Sequence, residues 1–145
     1  ASQPGGDMNK KFIIAWLVIF IVWMAGDFLV HGVFVKSDYL QLARLYRSDA
    51  ESQGYFGWML LAHVLMAGAF VWIYERGREA KPWMAQGVRY GIAAGLLGVL
   101  PGYLIYYAVM PLTGEMVAKQ VIFSGILLIV LGIIVAWLYR DTVKT

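Results

Sequence analysis

Hydrophobic and polar positions fall in long blocks along this chain. Residues 12–35, 55–74, 88–110 and 121–139 form four apolar blocks, with almost all the charge between them. Each block is about the 20 residues needed to cross roughly 30 Å of hydrocarbon at about 1.5 Å per residue. Hydrocarbon offers a backbone no hydrogen-bond partners, so each block must pair its own N–H and C=O groups, as a helix does. The helices of a soluble bundle would keep a polar outer face, whereas these blocks are apolar all round. The pattern predicts an all-α integral membrane four-helix bundle. It has one domain over residues 8–145, with helices at about 12–35, 49–76, 84–110 and 117–140.

Composition strengthens that reading. Of the 145 residues, 61% are hydrophobic and only 14% charged, where a soluble domain carries about 25% charged residues. The chain has no cysteine, which excludes disulfides, zinc–thiolate sites and thiol catalysis. The net charge of +3 comes from residues flanking the apolar blocks, so nucleic acid is not an expected partner and the lipid bilayer is. Residues 1–7, "ASQPGGD", are small and polar, and Met8 then opens "MNKKFIIAWL" like a natural start. The first seven read as an expression remnant or a disordered arm. The block after them is too long for a signal peptide and lacks a small-x-small cleavage site.

Basic residues predict an orientation. With the N-terminus in the cytoplasm, Lys10, Lys11, Arg76, Arg78, Lys81, Arg89, Arg140 and Lys144 lie inside, and Lys36, Arg44, Arg47 and Lys119 outside. The positive-inside rule favours this arrangement, with both termini cytoplasmic. Trp16, Trp72, Trp83, Tyr90, Trp137 and Tyr139 are expected near the inner interface, Tyr55 and Trp58 near the outer one.

The first outer connection, "SDYLQLARLYRS", reads as a short amphipathic helix on the outer surface. Ser37 is its expected cap; Tyr39, Leu42, Ala43 and Tyr46 share an apolar face, and Gln41, Arg44 and Arg47 point away. Ser48 and Glu51 stand at capping-box spacing, which starts the second long helix near Asp49. Gly91, Gly95, Gly98 and Gly102 lie along one face of the third helix and predict close helix packing, either within the bundle or against a second copy or a membrane partner. Gly125 and Gly132 offer a smaller version on the fourth. Pro101 cannot donate to the carbonyl one turn back, so a kink is expected near residues 99–102.

Polar side chains inside the blocks are few and concentrated. Counting rise from each block's midpoint puts Asp27 about 5 Å outward of the bilayer centre, His31 about 11 Å and His63 about 4 Å. Tyr103, Tyr106 and Tyr107 on the third helix, and Gln120 and Ser124 on the fourth, fall in the same outer half. Asp27 with His31, Tyr103 with Tyr107, and Gln120 with Ser124 share i,i+4 spacing and hence a face. A buried aspartate costs roughly 2.5–3.5 kcal/mol on insertion scales, so Asp27 should face the bundle and pair, with His63 by depth or His31 by helix position. The set Asp27, His31, His63, Tyr103, Tyr107, Gln120 and Ser124 is the candidate ligand-binding or proton-relay site. The alternative is a polar clamp that only fixes helix packing.

Asp27, His31 and His63 are candidate ligands for a divalent metal, and the two histidines for haem; a quinone or similar amphiphile would also suit tyrosine, histidine and aspartate beside lipid. The serines and threonines lack a nucleophile setting, and no catalytic residue is assigned. The stretches "AGDFLVHGVF", "FGWMLLAHV" and "LPGYLIYYAVMP" give a layout that resembles small, uncharacterised four-helix membrane proteins of bacteria. That resemblance implies the fold and no activity. The leading expectation is a membrane protein binding or transporting a small ligand, ion or proton. The second is a non-catalytic accessory or assembly subunit, and the third a small membrane enzyme.

Overall fold

The computed structural model describes residues 4–140, with side chains from Met8 onward. The expectations for residues 1–3 and for Lys144 lie outside the described residues. Helix α1 runs Pro4–Leu29 and passes into a π-helical turn, Val30–Phe34. Two short helices come next, α2 (Lys36–Gln41) and α3 (Asp49–Gln53). Then come α4 (Phe56–Gly77), α5 (Trp83–Ala94), a second π-helical turn (Gly95–Val99), α6 (Leu100–Val109) and α7 (Gly114–Tyr139). No strand occurs among the described residues. Among the described residues, four helical stretches are long and apolar enough to cross a membrane: Met8–Phe34, Phe56–Gly77, Trp83–Val109 and Gly114–Tyr139.

Local chemistry explains the boundaries. Ser48 accepts from the Glu51 N–H at 3.3 Å and Glu51 accepts from the Ser48 N–H at 3.0 Å, a complete capping box. The Ser48 N–H and the Ser48 hydroxyl, both donating to Glu51 Oε2, hold the Glu51 carboxyl below its usual range. The helix so started stops at Gly54, and a new one begins at Phe56. Thr113 caps α7 by accepting from the Met116 N–H at 3.2 Å. Ser37 does not cap α2: Val35 stands there, and its carbonyl already accepts from Asp38 and Tyr39 because α2 continues from the π turn almost without a break. Pro101 is accommodated one turn early. The ladder widens at Gly95–Val99, with Leu100 donating to the Gly95 carbonyl five residues back, so the proline enters a helix that has already opened.

The α7 helix is the hub. It packs against α1, α4, α5 and α6, and 39% of its most apolar stretch is buried against 6% for the third spanning stretch. The closest approach is between α5 and α7. A Cβ on Gly87 would stand 2.7 Å from the Gly132 carbonyl oxygen, and one on Gly91 2.6 Å from the Ile129 Cα, so only glycine lets these backbones meet. Of the four glycines expected to pack, Gly91 does so tightly and Gly95 reaches Leu128 at ordinary contact distance. Gly98 and Gly102 meet nothing within 4 Å. The π turn supplies the reason, since one added residue rotates the remainder of the helix by about 100°. On the other side of the assembly, Trp16 lies against Gly68 and its indole N–H donates to the Val64 carbonyl at 2.8 Å, joining α1 to α4.

Three of the aromatics expected at interface depth pack against the rest of the chain. Tyr139 is buried, Tyr90 donates to the Phe70 carbonyl at 2.6 Å, and Trp16 is half-buried. Trp72, Trp137, Tyr55 and Trp58 remain exposed.

Candidate functional site

The polar side chains at the loop end fall into two groups. The first is a pair. His63, buried on α4, contacts Asp27 Oδ2 through Nε2 at 2.9 Å and the Met59 carbonyl through Nδ1 at 2.8 Å. A carbonyl only accepts, so Nδ1 carries a hydrogen. The Asp27 contact then holds one proton, as an imidazolium N–H donating to a carboxylate or as a carboxylic O–H donating to a neutral ring. Either form is neutral overall, which suits a site among apolar helices. Asp27 keeps its second oxygen, Oδ1, without a hydrogen bond among the described residues, and a quarter of its side chain (25%) is exposed.

The second group is a chain of five. Gln120 Nε2 donates to the Tyr39 hydroxyl at 3.0 Å, which leaves the hydroxyl hydrogen of Tyr39 for His31 Nδ1 at 2.7 Å. His31 Nε2–H then donates to Tyr103 at 3.1 Å, and the Tyr103 and Ser124 hydroxyls share a hydrogen bond at 3.1 Å. Gln120 and Ser124 are buried, and Gln120 Oε1 has no hydrogen-bond partner among the described residues. Burial pushes the Tyr39 hydroxyl up to about 12, against the pull of its bond from Gln120.

Chain geometry explains the division. Asp27 lies in regular helix while His31 lies inside the π turn Val30–Phe34; the widened turn begins between them, and they share no hydrogen-bond partner. Tyr103 is drawn inward by His31 and Ser124, whereas Tyr107, one turn further, is half-exposed with its hydroxyl over Gly114. Tyr39 is the member that sequence reasoning left on a surface helix. It is carried inward because α2 folds back over the helix ends. There Tyr39, Leu42 and Tyr46 pack on Val30, Val35, Met116 and Val117, while Ala43 stays exposed. The buried Asp38 fixes that fold, accepting from Lys119 Nζ at 3.0 Å. Nothing in the spacing of Tyr39 advertised this role.

The donor set does not suit a metal or haem. Both ring nitrogens of His31 engage tyrosines, and both of His63 engage Asp27 and Met59. No three His, Cys, Asp or Glu side chains converge among the described residues. Of the candidate ligands Asp27, His31 and His63, Asp27 and His63 meet, and each histidine already uses both nitrogens within the chain.

The hydrogen-bond order predicts different protonation for the only two histidines. Nitrogen NMR of histidine-labelled protein should show His63 protonated at Nδ1 and His31 at Nε2 only. His31 protonated at Nδ1 instead would mean that the Gln120 amide is turned over and the order of the bonds at Tyr39 and His31 is reversed.

No family model, curated protein or solved structure matches the chain.

Proposed function

We propose that this chain is a polytopic membrane protein, its four helices forming a bundle with α2 at the outer surface, that takes up a proton or a small hydrogen-bond-donating cation at the loop-end polar cluster. In this reading both termini face the cytoplasm, the membrane is the bacterial cytoplasmic one, and the cluster is loaded from the outer side. The four long apolar helices support the membrane setting. One observation carries the choice of ligand. Asp27 Oδ1 and Gln120 Oε1, which make no hydrogen bond among the described residues, are both acceptors, and one belongs to a partly exposed carboxyl. A site with acceptor capacity to spare takes donors. An oxidised quinone, which presents only carbonyl acceptors, suits it less well than a quinol.

The test is titration of the carboxyl C=O stretch by infrared spectroscopy. Wild type should show a titrating band that Asp27→Asn lacks while staying folded, and His63→Ala should move its midpoint. Coincident titrations in wild type and His63→Ala would overturn the pair as the proton site.

The second reading, an accessory subunit docking through the third spanning helix, has its own support. Gly98 and Gly102 have open space before them, and Leu97 beside them is 86% exposed. A copurifying partner chain lost in Gly98→Leu would favour it.

A further inference from the structure

The end of the molecule opposite the polar cluster contains a cleft between the close of α4 and the first turns of α5. Its inner chamber, about 110 Å³, is walled by Ile73, Tyr74 and Tyr90, with Arg78 at its edge. Its outer chamber, about 290 Å³, is bordered by Lys81, Arg89 and Glu79. The two share Gly77, Gln86 and Tyr90 and so adjoin, the inner one walled mainly by aromatic and aliphatic side chains and the outer one by charged ones. Gly77 leaves the cleft clear, since a Cβ there would meet nothing within 4 Å.

The mouth is held in shape by its own bonds. The Glu79 N–H donates to Gln86 Oε1 at 2.6 Å, and Gln86 Nε2 donates back to the Glu79 carbonyl at 3.1 Å. The Glu79 carboxylate is engaged by Lys81, which holds it below the usual carboxylate range. Arg89 spends only Nε, on the Ala85 carbonyl at 3.3 Å, and its terminal nitrogens make no hydrogen bond among the described residues. Lys81 and Arg89 against Glu79 leave one positive charge at the entrance. The cleft lies at the ends of two helices long enough to span a membrane, the level at which lipid headgroups sit.

We propose that this cleft binds the phosphodiester headgroup of an anionic membrane lipid. Arg89 presents a planar fork of donors that matches two phosphate oxygens. Gln86 and the Glu79–Lys81 pair fix the rim. The chamber formed by Ile73 and Tyr90 accepts the start of an acyl chain, which a free phosphate does not possess. Basic pockets between membrane helices hold headgroups on this principle.

The experiment is native mass spectrometry of the full chain in mild detergent, titrated with phosphatidylglycerol or phosphatidylcholine. Wild type should retain phosphatidylglycerol over phosphatidylcholine by about fivefold or more. Arg89→Gln should abolish the preference, and Gly77→Leu should lower occupancy by both lipids, each variant melting with wild type. Millimolar inorganic phosphate should not displace the lipid. Equal retention of the two lipids by wild type, or a preference unaltered in Arg89→Gln, would overturn the site. Displacement by inorganic phosphate would overturn the lipid as its occupant and leave a soluble phosphate compound in its place.

Discussion

Gly91→Leu is expected to destabilise the protein by about 3 kcal/mol or more. The reason is geometric. The added side chain would start 2.6 Å from the Ile129 Cα, against backbone that cannot rotate aside. Either α5 and α7 move apart or the helices fail to associate, and their contact is the most extensive in the molecule. Thermal unfolding in mild detergent, tracked by circular dichroism, gives the measurement. Gly98→Leu serves as the control on the same spanning stretch: with nothing within 4 Å of its Cβ, its effect should stay within about 0.5 kcal/mol. A Gly91→Leu variant that melts with wild type would show that α5 and α7 are not in backbone contact.

His63→Leu is expected to lower stability by about 3–5 kcal/mol as long as Asp27 keeps its charge, because the substitution leaves a carboxylate among apolar helices without its partner. Replacing both, Asp27→Leu with His63→Leu, should recover most of that loss, since a well-packed apolar pair removes the stranded charge along with its counterpart. The comparison is between the two variants at one pH. If the double variant is no more stable than the single, the single loss came from the packing of the imidazole or from its bond to Met59, and the ionic pair is not its source.

The sequence made the helical class and the four spanning stretches legible because length and hydropathy are summed over about 20 residues and survive local irregularity. It made Asp27 and His63 legible as partners because rise per residue converts position into depth. Three features escaped it. The π turns add a residue to the helical repeat without any mark that a 3.6-residue pattern would register, and the second of them decides that Gly98 leaves the face of Gly91. Tyr39 was hidden by its place in a polar connection whose return over the helix ends depends on the distant Lys119. The inward turn of Trp16, Tyr90 and Tyr139 was not legible either, since depth tells how far along a helix a ring sits and not which way it faces.

The hub position of α7 has a consequence for how the molecule is made. The first two spanning helices can pair through Trp16 and Gly68 as soon as both have left the ribosome. The third has its chief contact with α7, which comes after it in the chain. Until α7 is synthesised, Gly87 and Gly91 face lipid and the chain of bonds through Gln120 and Ser124 is missing two of its five members. A nascent chain halted before Gly114 therefore holds a paired hairpin and a loose third helix, and it is the intermediate that membrane quality control would meet first.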